Sequence, residues 1–555
     1  MGTVRKEWDG RIPVALIYPN RYQIAMSNLG FQTLYGLLNA EDDIVCERVV
    51  WEGEAAVPRS LESGQPLRDF PVWAFSVPFE LDYFHIVSLI RQAGIPLWAE
   101  GRREGHPILL GGGMALSANP EPVAPFLDAI GVGEGEALLP GIVAALRQGG
   151  TREETLAEIG KVEGVYLPVR AERRPVRRQW VRDLASLATT SVVLTPETEF
   201  GDIYLVEIAR GCRWGCRFCL AGHLTLPPRY RPLETLRPQF EKGLRYRKRI
   251  GLVGAAVSDH PQLKEIVRTI LALGGGFTLA SLRADRVTPW LLDGLRRSGT
   301  RTLTLAPEAG TPRLRTAIQK GLETESLLQA AAMAREAGIP RLKLYFMVGL
   351  PGEDEADFSG IGELVRAMQA AFRPGRLTLN VAPFVPKAHT PFQWAPMAPA
   401  ELLEERLRRL RQEMARIGVL VEPESVRWSR IQGVLARGDR RLAQVLAEME
   451  APTRASWQRA LRATGSTEEE YLRERERDEP FPWEIVDPGV RREILWREWE
   501  RAKRGEAGRP CPEEPGCRYC GVCAPDGTNG TERTESIENG LAQAEARAPQ
   551  DGQGR

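Results

Sequence analysis

The chain has 555 residues, 43% hydrophobic and 26% charged, with 74 Lys and Arg against 73 Asp and Glu. At about 100 to 200 residues per domain it holds roughly three folded units, which excludes a single disulfide-stapled module, and its apolar share excludes wholesale disorder. The net charge of +1 excludes both a global basic field for nucleic acid and an acidic solvating excess, so partners are argued from sites.

No run of about 18 uncharged apolar residues occurs, and the opening MGTVRKEWDG leads into no signal-peptide core. The expectation is a soluble cytoplasmic protein without a membrane partner. Residues 1–165 alternate strand-like runs with helical patterns, the mark of a parallel α/β sheet. Candidate strands are Val14–Tyr18, Ile44–Val50, Val72–Val77, Ile108–Leu110 and Ala129–Val132; Leu29–Leu38, Leu81–Gln92 and Glu136–Leu146 read as helices. Gly111, Gly112 and Gly113 follow one strand, and Gly131, Gly133 and Gly135 end or follow another. Glycine there lets backbone approach a ligand at the carboxyl edge of the sheet, and it equally serves a tight strand-to-helix turn. Cys46 stands alone within a strand-like run and reads as a buried thiol.

Residues 166–200, with RAERRPVRRQW, read as a solvated linker. Between 201 and 398 the alternation becomes regular, with strand-like runs at Ile203–Ala209, Leu252–Val257, Phe277–Leu282, Thr302–Leu305, Leu342–Val348 and Leu377–Pro383. Helical patterns such as Leu263–Leu273 and Leu327–Ala337 fill the gaps. Six repeats of this kind predict a partial parallel barrel, whose chemistry lies at the carboxyl ends of the strands. Residues 399–510 read as a helical extension, with amphipathic helices at Ala400–Ile417 and Arg440–Met449, and residues 511–523 carry a second cysteine group. The tail 524–555 is expected to be disordered.

In GCRWGCRFC the thiols of Cys212, Cys216 and Cys219 share one short loop after the first barrel strand. A loop of that kind wraps three thiolates around one face of an iron-sulfur cube and leaves the fourth iron open. A zinc or inert-thiol reading is weaker, because tetrahedral zinc would lack a ligand. With Phe218 beside the last cysteine, the arrangement resembles the radical S-adenosylmethionine superfamily, and the resemblance covers most of the chain. It implies a 4Fe-4S cluster at Cys212, Cys216 and Cys219, S-adenosylmethionine chelated at the open iron, and cleavage of its sulfonium to a 5′-deoxyadenosyl radical by an electron from a donor such as flavodoxin or ferredoxin.

Other segments take family positions by the same resemblance. GAAVSDHP departs from the Gly-Gly-Glu run that holds the methionine amino group, and Ser258 and Asp259 are its substitutes; Asp259 also reads as a helix cap before Pro261. Glu308 in APEAGT takes the place of the acidic residue at the ribose hydroxyls, or is a solvated turn carboxylate. Gly349 and Gly352 of VGLPGE resemble the glycine turn that passes the adenine. APFVPKAHTPFQW is similar to members that carry a vitamin B12 domain. In that light residues 1–165 resemble a doubly wound cobalamin-binding domain, with Asn28, Gly30, Gly111 to Gly113 and the turn through Gly133 and Gly135 near the cofactor. No Asp-x-His-x-x-Gly segment is present, and Asp82 and His85 have the wrong spacing for it.

CPEEPGCRYCGVC places Cys511, Cys517, Cys520 and Cys523 within a short span, a full ligand set for an auxiliary iron-sulfur cluster or for zinc. The resemblance implies an enzyme, and the leading expectation is cobalamin-dependent methyl transfer to an unactivated carbon. Cobalamin-free modification such as methylthiolation, and a non-catalytic cluster or cobalamin sensor, are the alternatives. Nothing in the sequence selects RNA, peptide, lipid or small metabolite as substrate.

Overall fold

The computed structural model describes residues 1–169, 174–514 and 517–523; the tail expected to be disordered lies outside the described residues. The amino-terminal sheet holds β1 (Ile12–Tyr18), β2 (Ile44–Val50), β3 (Val72–Ser76), β4 (Ile108–Gly112), β5 (Ala129–Gly131) and β6 (Val165–Tyr166), in the order β2-β1-β3-β4-β5-β6. β1 to β5 pair in parallel and β6 runs antiparallel to β5. Helices on both faces explain why the strands are apolar runs and not alternating ones. All of β2 is buried, Cys46 with it, so that thiol is core. The strand's own charges are matched: Arg48 Nε meets Glu62 at 2.7 Å and Glu47 accepts from Trp8 Nε1 at 2.8 Å, which buried charge requires. Asn28 caps the helix Leu29–Ala40 by accepting from Phe31 N at 2.9 Å.

The segment read as a solvated linker is a seam. Its β7 (Val176–Arg177) pairs with Val486–Asp487, and Gln179 bridges to Gly133. Arg178 is buried over the Trp180 ring and donates to the Leu226 carbonyl. A guanidinium that stacks on indole and feeds carbonyl groups can be interior, and an arginine count does not distinguish that from solvation.

The barrel begins at β8 (Tyr204–Glu207), followed by a short antiparallel ribbon of β9 (Ala209–Arg210) and β10 (Arg229–Tyr230). β11 (Arg249–Val253) and β12 (Gly276–Leu279) complete a parallel sheet with β8, in the order β12-β11-β8. β13 (Thr302–Glu308), β14 (Arg341–Val348), β15 (Arg376–Pro383) and β16 (Leu420–Pro423) form a second parallel sheet, which a bridge between Leu282 and Leu305 joins to the first. β16 lies in the span read as purely helical. It has four residues of alternating exposure, too short for a legible run between two long helices. The run expected to end at Val257 breaks at Val253, and Val257 opens a 3₁₀ turn. The helix Ala400–Arg416 buries Leu403, Leu407, Leu410 and Met414 along one stripe, so the extension starts by covering the barrel. The last strand, β17 (Val486–Asp487), is the partner of β7.

Buried ion pairs fasten the amino-terminal sheet to the barrel. Arg210 reaches Glu134 at 2.7 Å, Glu136 at 2.8 Å and Glu207 at 2.8 Å, while Arg229 meets Glu134 at 2.6 Å. Farther along the seam Lys387 pairs with Glu80 at 2.6 Å and Arg440 with Glu121 at 2.7 Å. Removing one partner of a buried pair typically costs about 3–5 kcal/mol because a charge is left uncompensated. Arg210→Met strips the guanidinium from Glu136, and a chemical denaturation curve is expected to shift to lower denaturant by that order; an unchanged curve would show that the pairs do not fasten the seam.

Candidate functional site

After β8 and β9 the chain turns at Gly211, whose φ is +88° and whose added Cβ would stand 2.7 Å from the carbonyl oxygens of Thr225 and Pro227. Glycine is needed there on both counts. The loop that follows carries Cys212, Cys216 and Cys219, and Arg217 at its centre points inward with no exposure. Arg217 meets Glu498 at 2.8 Å and donates to the carbonyls of Ala317 at 2.6 Å and Glu506 at 2.9 Å; its backbone N–H donates to Ile318 O at 3.0 Å. On the other flank Trp214 lies under the Arg283 guanidinium at 3.6 Å and donates from Nε1 to Asp259 at 2.5 Å. The second Asp259 oxygen stands 3.4 Å from Arg286 Nε. Phe218 packs, half-buried, on the apolar cluster of Leu314, Ile318 and Phe392.

Burial pushes the thiol of Cys212 up to about 11 and that of Cys216 up to about 12, and raises Cys219 as well. Cys216 feels both of the other thiols, so the three share one local field, and the charge of Lys320 draws Cys216 and Cys219 back down. Such a loop disfavours bare thiolates and favours them once a cation arrives, which is the donor chemistry that a metal site needs. Among the described residues no group of three His, Cys, Asp or Glu side chains is gathered tightly enough for a single metal ion. A cube binds each thiolate at a separate corner, and three sulfurs on one loop fit that better than one ion.

Glu308 ends β13 in a left-handed conformation, φ +68°, where the register with β14 shifts. Holding a non-glycine residue there costs about 1–2 kcal/mol. Its carboxylate meets Lys320 Nζ at 3.1 Å. Burial opposes the charge on Lys320, but Glu308 and Cys216 outweigh burial and hold the ammonium above its ordinary range. Lys320 thus joins the ribose-side candidate to the thiol loop; sequence reasoning passed it over, because no spacing rule marks a lysine twelve positions beyond a glutamate. Ser258 shares the 3₁₀ turn Val257–Asp259 with its acidic neighbour. A Cβ on Gly349 would stand 2.6 Å from Leu403, so the helix over the barrel requires that glycine, whereas Gly352, also at positive φ, faces open space.

The amino-terminal candidates serve the fold. An added Cβ would stand 2.6 Å from Val77 O at Gly113, 2.0 Å from Gln179 O at Gly133, 2.7 Å from Leu34 at Gly135 and 2.6 Å from Leu127 at Gly111. At Gly30 it would stand 3.3 Å from the capping Asn28 oxygen, and at Gly112, the least crowded, 3.7 Å from Gly131 O. At Gly111, Gly113, Gly133 and Gly135 close packing of the chain itself accounts for the missing side chain. The crevice between β1 and β3, where strand order reverses, gathers other groups. Asn20 donates to Asp82 at 2.7 Å, and His85, its Nδ1 2.8 Å from the Pro19 carbonyl, stacks on Trp51 at 4.0 Å. Burial keeps that imidazole below its ordinary range.

The thiols of the second set also share a field: burial pushes Cys520 up to about 11, and Cys523, Cys511 and Cys517 raise it further. In the APFVPKAHTPFQW segment His389 is buried at φ +57°, and burial pushes its imidazole down to about 4.

The family model for "Radical SAM proteins, N-terminal" matches residues 30–168, and that for the "Radical SAM superfamily" matches residues 206–365. An uncharacterised protein of Methanocaldococcus jannaschii is 28% identical over 447 residues, 79% of this chain and 92% of that one. The ribosomal protein uS12 methylthiotransferase RimO of a Synechococcus species is 23% identical over 412 residues, 68% of this chain and 82% of that one. Among solved structures, the apo form of the cobalamin-dependent S-adenosylmethionine radical enzyme OxsB matches at a TM-score of 0.47 with 17% identity, covering 64% of this chain and 51% of its own. OxsB with aqua-cobalamin and S-adenosylmethionine bound matches at 0.44 with 15% identity, covering 82% and 62%. The chain thus spans between half and two thirds of that solved protein.

Burial, with a smaller contribution from Glu80, lifts the Asp82 carboxyl from 3.8 to about 7, against the pull of the Asn20 hydrogen bond. A carboxyl raised in the folded state stabilises the fold fully below its unfolded value and loses that contribution as pH rises through its folded value. Stability is expected to fall by a few kcal/mol between pH about 4 and about 7 on this account, at about 1.4 kcal/mol per unit. Asp82→Asn should flatten that part of the denaturation-midpoint profile; an unaltered slope would refute the assignment.

Proposed function

The chain belongs to the radical S-adenosylmethionine superfamily and is an enzyme with S-adenosylmethionine as co-substrate, and we propose that it cleaves this co-substrate reductively to modify an unactivated carbon of its substrate. When bound, a four-iron, four-sulfur cluster supplies the electron that breaks the sulfonium bond, giving methionine and a 5′-deoxyadenosyl radical. Cys212, Cys216 and Cys219 would hold it, and the single observation that carries the reading is that these half-buried thiols share one field on a loop pinned from both flanks. Asp259 and Glu308 would accept hydrogen bonds from the ammonium and ribose hydroxyls of the co-substrate, and Lys320 holds Glu308 in place. Electrons would come from a flavodoxin- or ferredoxin-like donor. Cys511, Cys517, Cys520 and Cys523 would supply four thiols to a second cluster, and a single zinc ion would require them to gather more closely.

Two readings of the later chemistry divide on cobalamin. Methyl transfer from cobalamin is supported by the strand order β2-β1-β3-β4-β5 with its switch point. A corrin at that switch point would meet the crevice of Asn20, Trp51, Asp82 and His85. Cobalamin-free modification is supported by the kinship to RimO, a methylthiotransferase, although this chain's amino-terminal sheet holds only the core thiol Cys46.

Anaerobically reconstituted, dithionite-reduced protein is expected to release 5′-deoxyadenosine from S-adenosylmethionine, and Cys216→Ala to abolish that release. A loaded wild-type protein that releases none would defeat the reading. The visible spectrum of protein purified from cells supplied with hydroxocobalamin decides between the two chemistries: a corrinoid band favours methyl transfer, and its absence the cobalamin-free route.

A further inference from the structure

The segments that carry the two thiol sets are far apart in sequence and in contact in space. Cys511 N donates to the carbonyl of Arg213, between Cys212 and Trp214, at 2.7 Å, and the Arg213 side chain pairs with Glu513 at 2.9 Å. Gly508 N donates to Gln319 Oε1 at 2.5 Å, beside Lys320, and the Glu506 carbonyl receives Arg217 at 2.9 Å. The far end is tied down as well. Arg491 donates from its backbone N to Cys520 O at 2.9 Å and from its guanidinium to Tyr519 O at 2.6 Å, while Val522 is buried in the apolar cluster that holds Phe218 at its edge.

The strap, described over Glu506 to Glu514 and Cys517 to Cys523, thus crosses with its first part the loop that carries the first three thiols, and neither part forms a helix or strand. Backbone of that kind surrenders conformational entropy for few hydrogen bonds of its own, whereas thiolate bonds to a metal fix such segments strongly. We infer that the strap is a clamp and that the two thiol sets load metal as one coupled unit: metal on the second set fixes the strap, and the strap fixes the first loop. Arg213 and Glu513 are positioning residues in this scheme, since neither supplies a thiol. The inference rests on the cluster reading of the first set and extends it to the order and permanence of loading.

The test uses full-length wild type, Cys517→Ala and Glu513→Gln, each reconstituted anaerobically with iron and sulfide. The first set is followed by the change that S-adenosylmethionine makes to the reduced-cluster EPR signal, and its lifetime by iron release to bathophenanthroline disulfonate. Loss of a supporting partner costs about 10- to 100-fold in metal affinity. Cys517→Ala is expected to lose the S-adenosylmethionine-responsive signal to chelator faster by that order, and Glu513→Gln to move in the same direction. A responsive signal of wild-type size and lifetime in both variants overturns the clamp. Where Cys517→Ala does not fold, Glu513→Gln and Arg213→Ala carry the test, because both side chains are partly exposed, at 24% and 36%. Wild type with iron bound but no responsive signal fails the cluster reading of the first loop and takes the clamp with it.

Discussion

A guanidinium without solvent exposure, Arg217, holds the centre of the thiol loop. Its partners come from three distant stretches: Glu498 on the helix Arg492–Lys503, the carbonyl of Ala317 beyond β13, and the carbonyl of Glu506 in the strap. Burying such a charge is costly unless every donor is used, so the side chain tolerates one arrangement of its surroundings. That constraint sets the loop against the barrel, and with it the positions of Trp214, Asp259 and Lys320. A lysine in its place would keep the charge but lose the planar fork that reaches three partners at once.

The same residue type organises the seam between the sheets. Arg178, Arg210, Arg229 and Arg231 are drawn inward around Glu134 and Glu207, and the turn that resembled a cofactor loop spends its carboxylates on them. The charges of the two sheets are therefore complementary at a buried boundary, although the chain as a whole is nearly neutral. What the two halves share is a face of paired, buried charge.

Fold class was legible because periodicity survives burial. The doubly wound sheet and the barrel strands stand close to where apolar runs placed them, and Cys212, Cys216 and Cys219 are identified by spacing on a loop after a strand. β16 was not legible, since four half-exposed residues leave no run. The glycines were legible only in part: a missing side chain signals close approach without saying by what, and here Gly113 and Gly133 are approached by Val77 and Gln179 of the chain itself. Lys320 and Arg217 were invisible because their importance is set by partners remote in sequence. The contact of the two segments that carry the thiols was beyond reach for the same reason.

The bond between Cys511 and Arg213 joins positions separated by 511 − 213 = 298 residues. At a ribosomal pace of about 5–20 residues per second, the nascent chain displays its first three sulfurs for roughly 15 to 60 s before the segment that covers them has been made. Throughout that interval the loop is open to the machinery of cluster delivery, and to oxygen. The order in which the gene is read therefore leaves the coupled unit incomplete until its closing piece has been made.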